Sequence, residues 1–145
     1  NQKMKLVIKL HPTLDILDIS KTIQKKFPNI QVIEKGDINP LIRKCSCLIV
    51  TGFSTVIVQG QILQKPVISI PLIDYNWGKP SVYTENSCLL IKLEELNTNL
   101  KKIHNDPNFK DELIRSGNKF LNNCFKNKHD SSKVIWDYIK NMSIN

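Results

Sequence analysis

Alanine is absent from the 145 residues, and arginine occurs only at Arg43 and Arg115, against 19 lysines. Arginine is the side chain suited to bidentate grip on phosphates and base edges. Its scarcity argues against a nucleic-acid partner even though the net charge is +8. The lysines are also spread over nearly every surface segment instead of forming one patch. With 20 Ile and 15 Asn, the composition is that of AT-rich codons, which accounts for part of the charge. Long apolar runs are missing too. Residues 67–73, broken by Ser69, are far too short to cross a bilayer. No basic stretch followed by an apolar one opens the chain, so no signal peptide is expected. The first residue is Asn1, which suggests an excised domain or a processed fragment. The four cysteines are Cys45, Cys47, Cys88 and Cys124. Cys45 and Cys47 are closer than a usual zinc pair and no histidine lies near them, so reduced cytosolic thiols are expected, with no metal and no cofactor. A Ser-His-Asp order, a paired-carboxylate constellation, a P-loop and a G-x-G-x-x-G motif are all lacking.

What is present is an alternation of short apolar strands and helical segments in a chain suited to one domain, 1–145. Strands are expected at residues 5–10 (KLVIKL), 30–33, 47–50 (CLIV), 67–70 (VISI) and 88–91 (CLLI). The unbroken apolar runs read as strands covered on both faces. Helices are expected at 15–27, from Gly36-Asp37 to about Lys44, from Ser54-Thr55 to about Gln64, and over 94–104, 107–125 and 131–142. Residues 71–86 read as a long surface loop holding Asp74, Tyr75 and Trp77. The predicted fold class is α/β, a Rossmann-like three-layer α/β/α domain. It has a mainly parallel sheet of about five strands and a helical C-terminal tail.

In such a sheet ligands bind at the carboxyl ends of the strands. His11 follows the first strand, and Gly52-Phe53-Ser54-Thr55 follows the third. Ser54 and Thr55 suit the cap of the helix they begin, and the same position offers hydroxyls and N–H donors to an anion. Lys9 either approaches a phosphate or lies along the surface. Asp74, Tyr75 and Trp77 either offer a ring to a sugar or base or pin the loop to the core. His104 and His129 sit among polar residues and read as solvated. For Phe120, Phe125, Trp136 and Tyr138 core packing is the default, and Gly60 suits close helix–sheet packing.

Lys9-Leu10-His11-Pro12, Asn39-Pro40-Leu41-Ile42, the run Cys45–Thr51, Ser54-Thr55-Val56 and Gln64-Lys65-Pro66-Val67-Ile68 occur in that order and spacing. This ordered set resembles the carboxyl-terminal half of GT-B-fold glycosyltransferases. CDP-glycerol glycerophosphotransferases and bacterial capsule sialyl- or polysialyltransferases are the nearest in pattern. The non-hydrolysing UDP-N-acetylglucosamine 2-epimerases share the half-fold. The likeness covers about residues 5–70.

By that resemblance His11-Pro12 contacts the nucleotide or phosphate of a donor, and Ser54-Thr55 binds donor phosphates at a helix start. Five residues past Ser54, relatives place a Glu or Asp on the ribose hydroxyls. Gln59 stands there and would bond without charge assistance. No carboxylate matches a catalytic base, so no catalytic residue is assigned. The expected function is the donor-nucleotide-sugar-binding domain of a glycosyltransferase or glycerophosphotransferase-like enzyme of surface polysaccharide or glycopolymer synthesis. Its partners would be a nucleotide-activated sugar or polyol donor and an N-terminal domain of the same enzyme, absent from this sequence. A membrane-associated acceptor is compatible with the reading, which places the protein in the cytoplasm with room for a peripheral position at the inner membrane face. The isolated domain would be inactive. The alternatives are an epimerase-like domain and a non-catalytic Rossmann-like interaction domain.

Overall fold

A computed structural model describes residues 4–11, 16–72, 78–125 and 130–142. Within them the chain is α/β with parallel strands throughout, consistent with a Rossmann-like α/β/α fold. It divides into two compact units, residues 1–41 and 42–145. All five expected strands form, and their ladders join them as a pair and a triplet.

In the first unit β1 (Val7–Lys9) pairs in parallel with β2 (Gln31–Ile33), Ile8 opposite Val32. A parallel pair needs a crossover, and α1 (Ile16–Lys26) supplies it. Asp18 in its first turn and Lys25 and Lys26 in its last complement the helix dipole. Pro28 bars continuation, and the last helical bond runs from Phe27 N–H to the Ile23 carbonyl. Ser20 is buried on this helix, whereas Ile19 and Phe27 are exposed. Asp37 then accepts the backbone N–H of Asn39 at 3.0 Å, an Asx turn leading into α2 (Asn39–Lys44).

The second unit is built on β3 (Leu48–Thr51), β4 (Val67–Ile70) and β5 (Leu89–Leu90), with β4 in the middle. Side chains alternate across a strand, and β4 is buried along its whole length, so it feeds two cores. Val67 joins Val50, Ile57 and Phe120 on one side. Ile68 and Ile70 join Ile91 and Ile103 on the other. Helix α3 (Val56–Ile62) covers the first core and α5 (Leu96–Asn105), entered through a 3-10 turn at Leu93–Glu95, covers the second. Helix α6 (Pro107–Cys124) serves both. Its early residues Phe109 and Leu113 pack on the second core and Phe120 on the first. Asp106 caps it by accepting the Phe109 N–H at 3.1 Å, with Pro107 in the first turn.

Helix α3 ends in a Schellman turn. The Lys65 N–H bonds the Gly60 carbonyl and the Gln64 N–H bonds that of Gln61. Gln64 holds the left-handed position at φ 56°, where glycine is usual. Its amide exchanges two hydrogen bonds with the amide of Asn118 on α6, at 2.6 and 2.9 Å, which offsets the backbone strain.

Three sequence expectations are corrected. A short helix, α4 (Ser81–Thr84), interrupts the segment expected to be loop, because Pro80 fixes its φ at the helix start and Val82 buries itself in the first core. Helix α3 begins at Val56, after Ser54-Thr55. Trp136 and Tyr138 are exposed, unlike Phe120, because every residue of α7 (Ser131–Met142) faces solvent, and Phe125 is exposed just past the end of α6. Asp74, Tyr75, Trp77, Pro12 and His129 lie outside the described residues.

Gly60 is where α3 meets the sheet: a Cβ there would stand 2.6 Å from Leu48 Cδ2 and 2.8 Å from Val67 Cγ2. Gly60→Ala should gain about 1 kcal/mol of helix propensity and lose about 1–3 kcal/mol to overpacking. A net destabilisation is expected in a urea unfolding curve, and an unchanged or raised midpoint would refute the close packing.

Candidate functional site at the carboxyl end of β3

At the carboxyl end of β3 the Gly52 N–H donates to the Ile70 carbonyl at 2.8 Å, carrying the ladder one residue past Thr51. The chain then turns with Gly52 at φ 86°, a conformation that disfavours a side chain. A Cβ placed on Gly52 would meet no atom of the described residues within 4 Å, so among them the outer side of this turn is open. The turn is held from below. Ser69 Oγ lies 3.1 Å from the Gly52 carbonyl and 2.8 Å from Tyr83 Oη. Ser69 has one hydroxyl proton, which goes to the carbonyl, so Tyr83 donates to Ser69. Burial pushes the Tyr83 phenol above its ordinary 10.0, although the Ser69 bond opposes that shift. The half-exposed ring of Phe53 stands edge-on to Tyr83, with centroids 6.3 Å apart and planes at 81°.

Ser54, half-buried, accepts the Val56 N–H at its Oγ (3.3 Å) and the Ile57 N–H at its carbonyl (3.1 Å). It thus acts as the local cap expected of it. Thr55 is exposed and its hydroxyl makes no capping bond, which corrects its expected share in the cap. Its backbone is already helical at φ −59° and ψ −18°, whereas a capping residue normally holds an extended backbone. Gln59 lies one turn further on, and its Oε1 is buried with no hydrogen-bond partner among the described residues. Ser54, Thr55 and Gln59 therefore belong to one turn-and-helix segment.

His11 lies in the first unit, exposed, directly after β1. The preceding Leu10 is buried and its N–H donates to the Ile33 carbonyl. Lys9 does not project freely. Its ammonium donates to the carbonyls of Leu10 (2.9 Å) and Glu34 (3.0 Å), tying together the carboxyl ends of β1 and β2.

Several polar residues of the second unit carry little signal in the sequence. The serine inside the apolar run VISI was the one visible signal for the Ser69–Tyr83–Gly52 chain. Gln61, buried on α3, donates its amide to Ser87 Oγ (2.9 Å) and the Ser87 carbonyl (3.0 Å), pinning the approach to β5. Its Oε1, like that of Gln59, has no partner among the described residues. Cys47 and Cys88 pack in the cores, where burial pushes their thiols up to about 12 and about 11. All four cysteines are free, and among the described residues no group of three His, Cys, Asp or Glu suits a metal ion. No helix among those residues is long and apolar enough to cross a membrane.

Compared with known protein families, curated proteins and solved structures, the chain matches none.

The exposed Cys124 should react first with a thiol reagent at pH 8, and Cys124→Ser should remove that fast phase. Cys47 and Cys88 should label only on unfolding. Because their folded thiols sit above the ordinary 9.0, stability is fully present below pH 9 and is lost as the pH rises towards 11 and 12. Melting points measured from pH 8 to 11 should fall, and fall less in Cys47→Val; equal slopes would contradict the burial of this thiol. Ser69→Ala, which strands the Gly52 carbonyl and the Tyr83 hydroxyl, should lower stability by about 1 kcal/mol. Chemical denaturation checks it.

Proposed function

We propose that the chain is the donor-nucleotide-binding domain of a glycosyltransferase or glycerophosphotransferase-like enzyme of surface polysaccharide synthesis. It would work with an N-terminal domain of the same enzyme and, by itself, transfer nothing. The observation that carries the reading is the turn at the carboxyl end of β3. Gly52 leaves the backbone open to a ligand, and the next residues are the Ser54-Thr55 pair whose order with His11-Pro12 matches the transferase pattern. Gln59 adds to it by position, standing five residues past Ser54 where the transferase pattern has an acidic residue on the ribose hydroxyls.

The donor is a nucleotide-activated sugar or polyol. The exposed Thr55 hydroxyl would hydrogen-bond the phosphates and stabilise the charge that gathers on the leaving nucleotide. Ser54 would mainly shape the turn, since its oxygens already accept two backbone N–H groups. The net charge of +8 favours an anionic ligand at long range. On this reading the protein is cytoplasmic and peripheral to the membrane that carries its acceptor. A second reading, a non-catalytic interaction domain, is favoured by one observation: the N–H groups of Val56 and Ile57 are engaged locally instead of left for an anion.

Titration with CMP, CDP, UMP and UDP, followed by amide chemical shifts, separates the two. At least one nucleotide should perturb Gly52, Ser54 and Gln59, with weak and salt-sensitive affinity, and Gln59→Ala should weaken binding about tenfold or less, the worth of one neutral hydrogen bond. Silence of all four nucleotides at these residues rejects the donor-binding reading in favour of the interaction domain.

A further inference from the structure

We propose that α7 is a docking surface for an anionic lipid bilayer, lying in the plane of the interface. All of its residues from Ser131 to Met142 are exposed. Val134, Ile135, Tyr138 and Met142 follow one another at i, i+1, i+4 and i+8, which on a helix is a single stripe. They are 46 to 67% exposed, so this apolar face is turned to water in the chain as it stands. Lys133 and Lys140, seven residues apart, share another side of the helix. Trp136 stands between the two sides, with the Lys140 ammonium 5.3 Å from its ring centroid. A tryptophan on the border between an apolar stripe and lysines has the amphipathic placement favoured where hydrocarbon meets headgroups. The lysine stems can lie along the apolar side while their ammonium groups reach lipid phosphates.

Length and charge select the occupant. At 12 residues the helix spans about 18 Å, too little to cross a bilayer and enough to lie on one. It is also short for a self-standing helical pair with a second copy. Helix α7 carries Lys133 and Lys140 against the single acid Asp137, and the whole chain carries +8, a positive balance that complements an anionic surface. A low-hydrophobicity helix with a distinct apolar stripe and lysines on its polar side matches interfacial helices in physical type. The inference gives the peripheral location a physical basis but does not rest on nucleotide binding, so either can fail without the other.

The test is flotation of the 145-residue chain with vesicles of neutral phosphatidylcholine and of phosphatidylcholine with phosphatidylglycerol. Binding to the anionic vesicles should exceed binding to the neutral ones by about tenfold or more, and should fall with added salt. Ile135→Glu with Tyr138→Glu, both on exposed positions, should reduce it to the neutral-vesicle level. Lys133→Glu with Lys140→Glu should reduce it while leaving the apolar stripe intact. In a Trp77→Phe chain the remaining Trp136 emission should shift to the blue on binding. Equal affinity for both vesicle types, no affinity for either, or binding indifferent to the Ile135/Tyr138 pair overturns the proposal. So does a concentration-dependent dimer, abolished by the same pair, in a chain that ignores vesicles; that result assigns the stripe to a second copy.

Discussion

Strand β4 has no face turned to water, and the second unit is organised by that fact. Four residues, Val67 to Ile70, are each at most 3% exposed, so both sides of the strand must be covered. A lone amphipathic helix covers one side only. The unit therefore needs α3 on one face and α5 on the other, and α6 must be long enough to reach both. At 18 residues and about 27 Å it does so, placing Phe109 and Phe120 in different cores. The same demand explains Gly60, which lets α3 approach Leu48 and Val67, and Gly117, where a Cβ would stand 2.9 Å from Gln61 Cγ.

The site inherits its geometry from this strand. Ser69 is the polar residue in the middle of β4, fully buried among apolar neighbours. A buried hydroxyl must find partners, and the ones in reach are the Gly52 carbonyl and the Tyr83 hydroxyl. The turn at Gly52 is thereby braced by the residue that interrupts the core. Phe53 and Tyr83 add an aromatic edge to the same place. In the first unit Lys9 does a comparable job by different means, drawing two strand-end carbonyls together with one ammonium.

Strands and helices were legible in the sequence wherever local pattern governs them. VISI and CLIV are too apolar for any exposed position, and Pro28, Pro66 and Pro107 end or begin elements through their fixed geometry. Helix α4 is not legible within 71–86 because four residues carry almost no periodic signal; burial of Val82 in the core is a tertiary effect. The exposure of the α7 aromatics is hidden from the sequence for the opposite reason. The helix has a good amphipathic pattern, and pattern alone says that a face will be covered without saying by what. At the candidate site, the positions of Ser54, Thr55 and Gln59 on one segment followed from sequence. That Ser54 would spend its oxygens on Val56 and Ile57, and that Thr55 would make no capping bond, did not.

The sequence by itself determined the fold class, the parallel sense of the strands and, for every helix but α4, where it starts and stops to within two or three residues. These depend on hydrophobic period and on the restricted backbones of proline and glycine, which act over a few residues. The tertiary structure decided which polar atoms find partners. Ser69 with Gly52 and Tyr83, Gln64 with Asn118, and Gln61 with Ser87 are separated by 14 to 54 residues. Such pairings exist only once packing has brought the segments within 3 Å or so, and no local pattern encodes them.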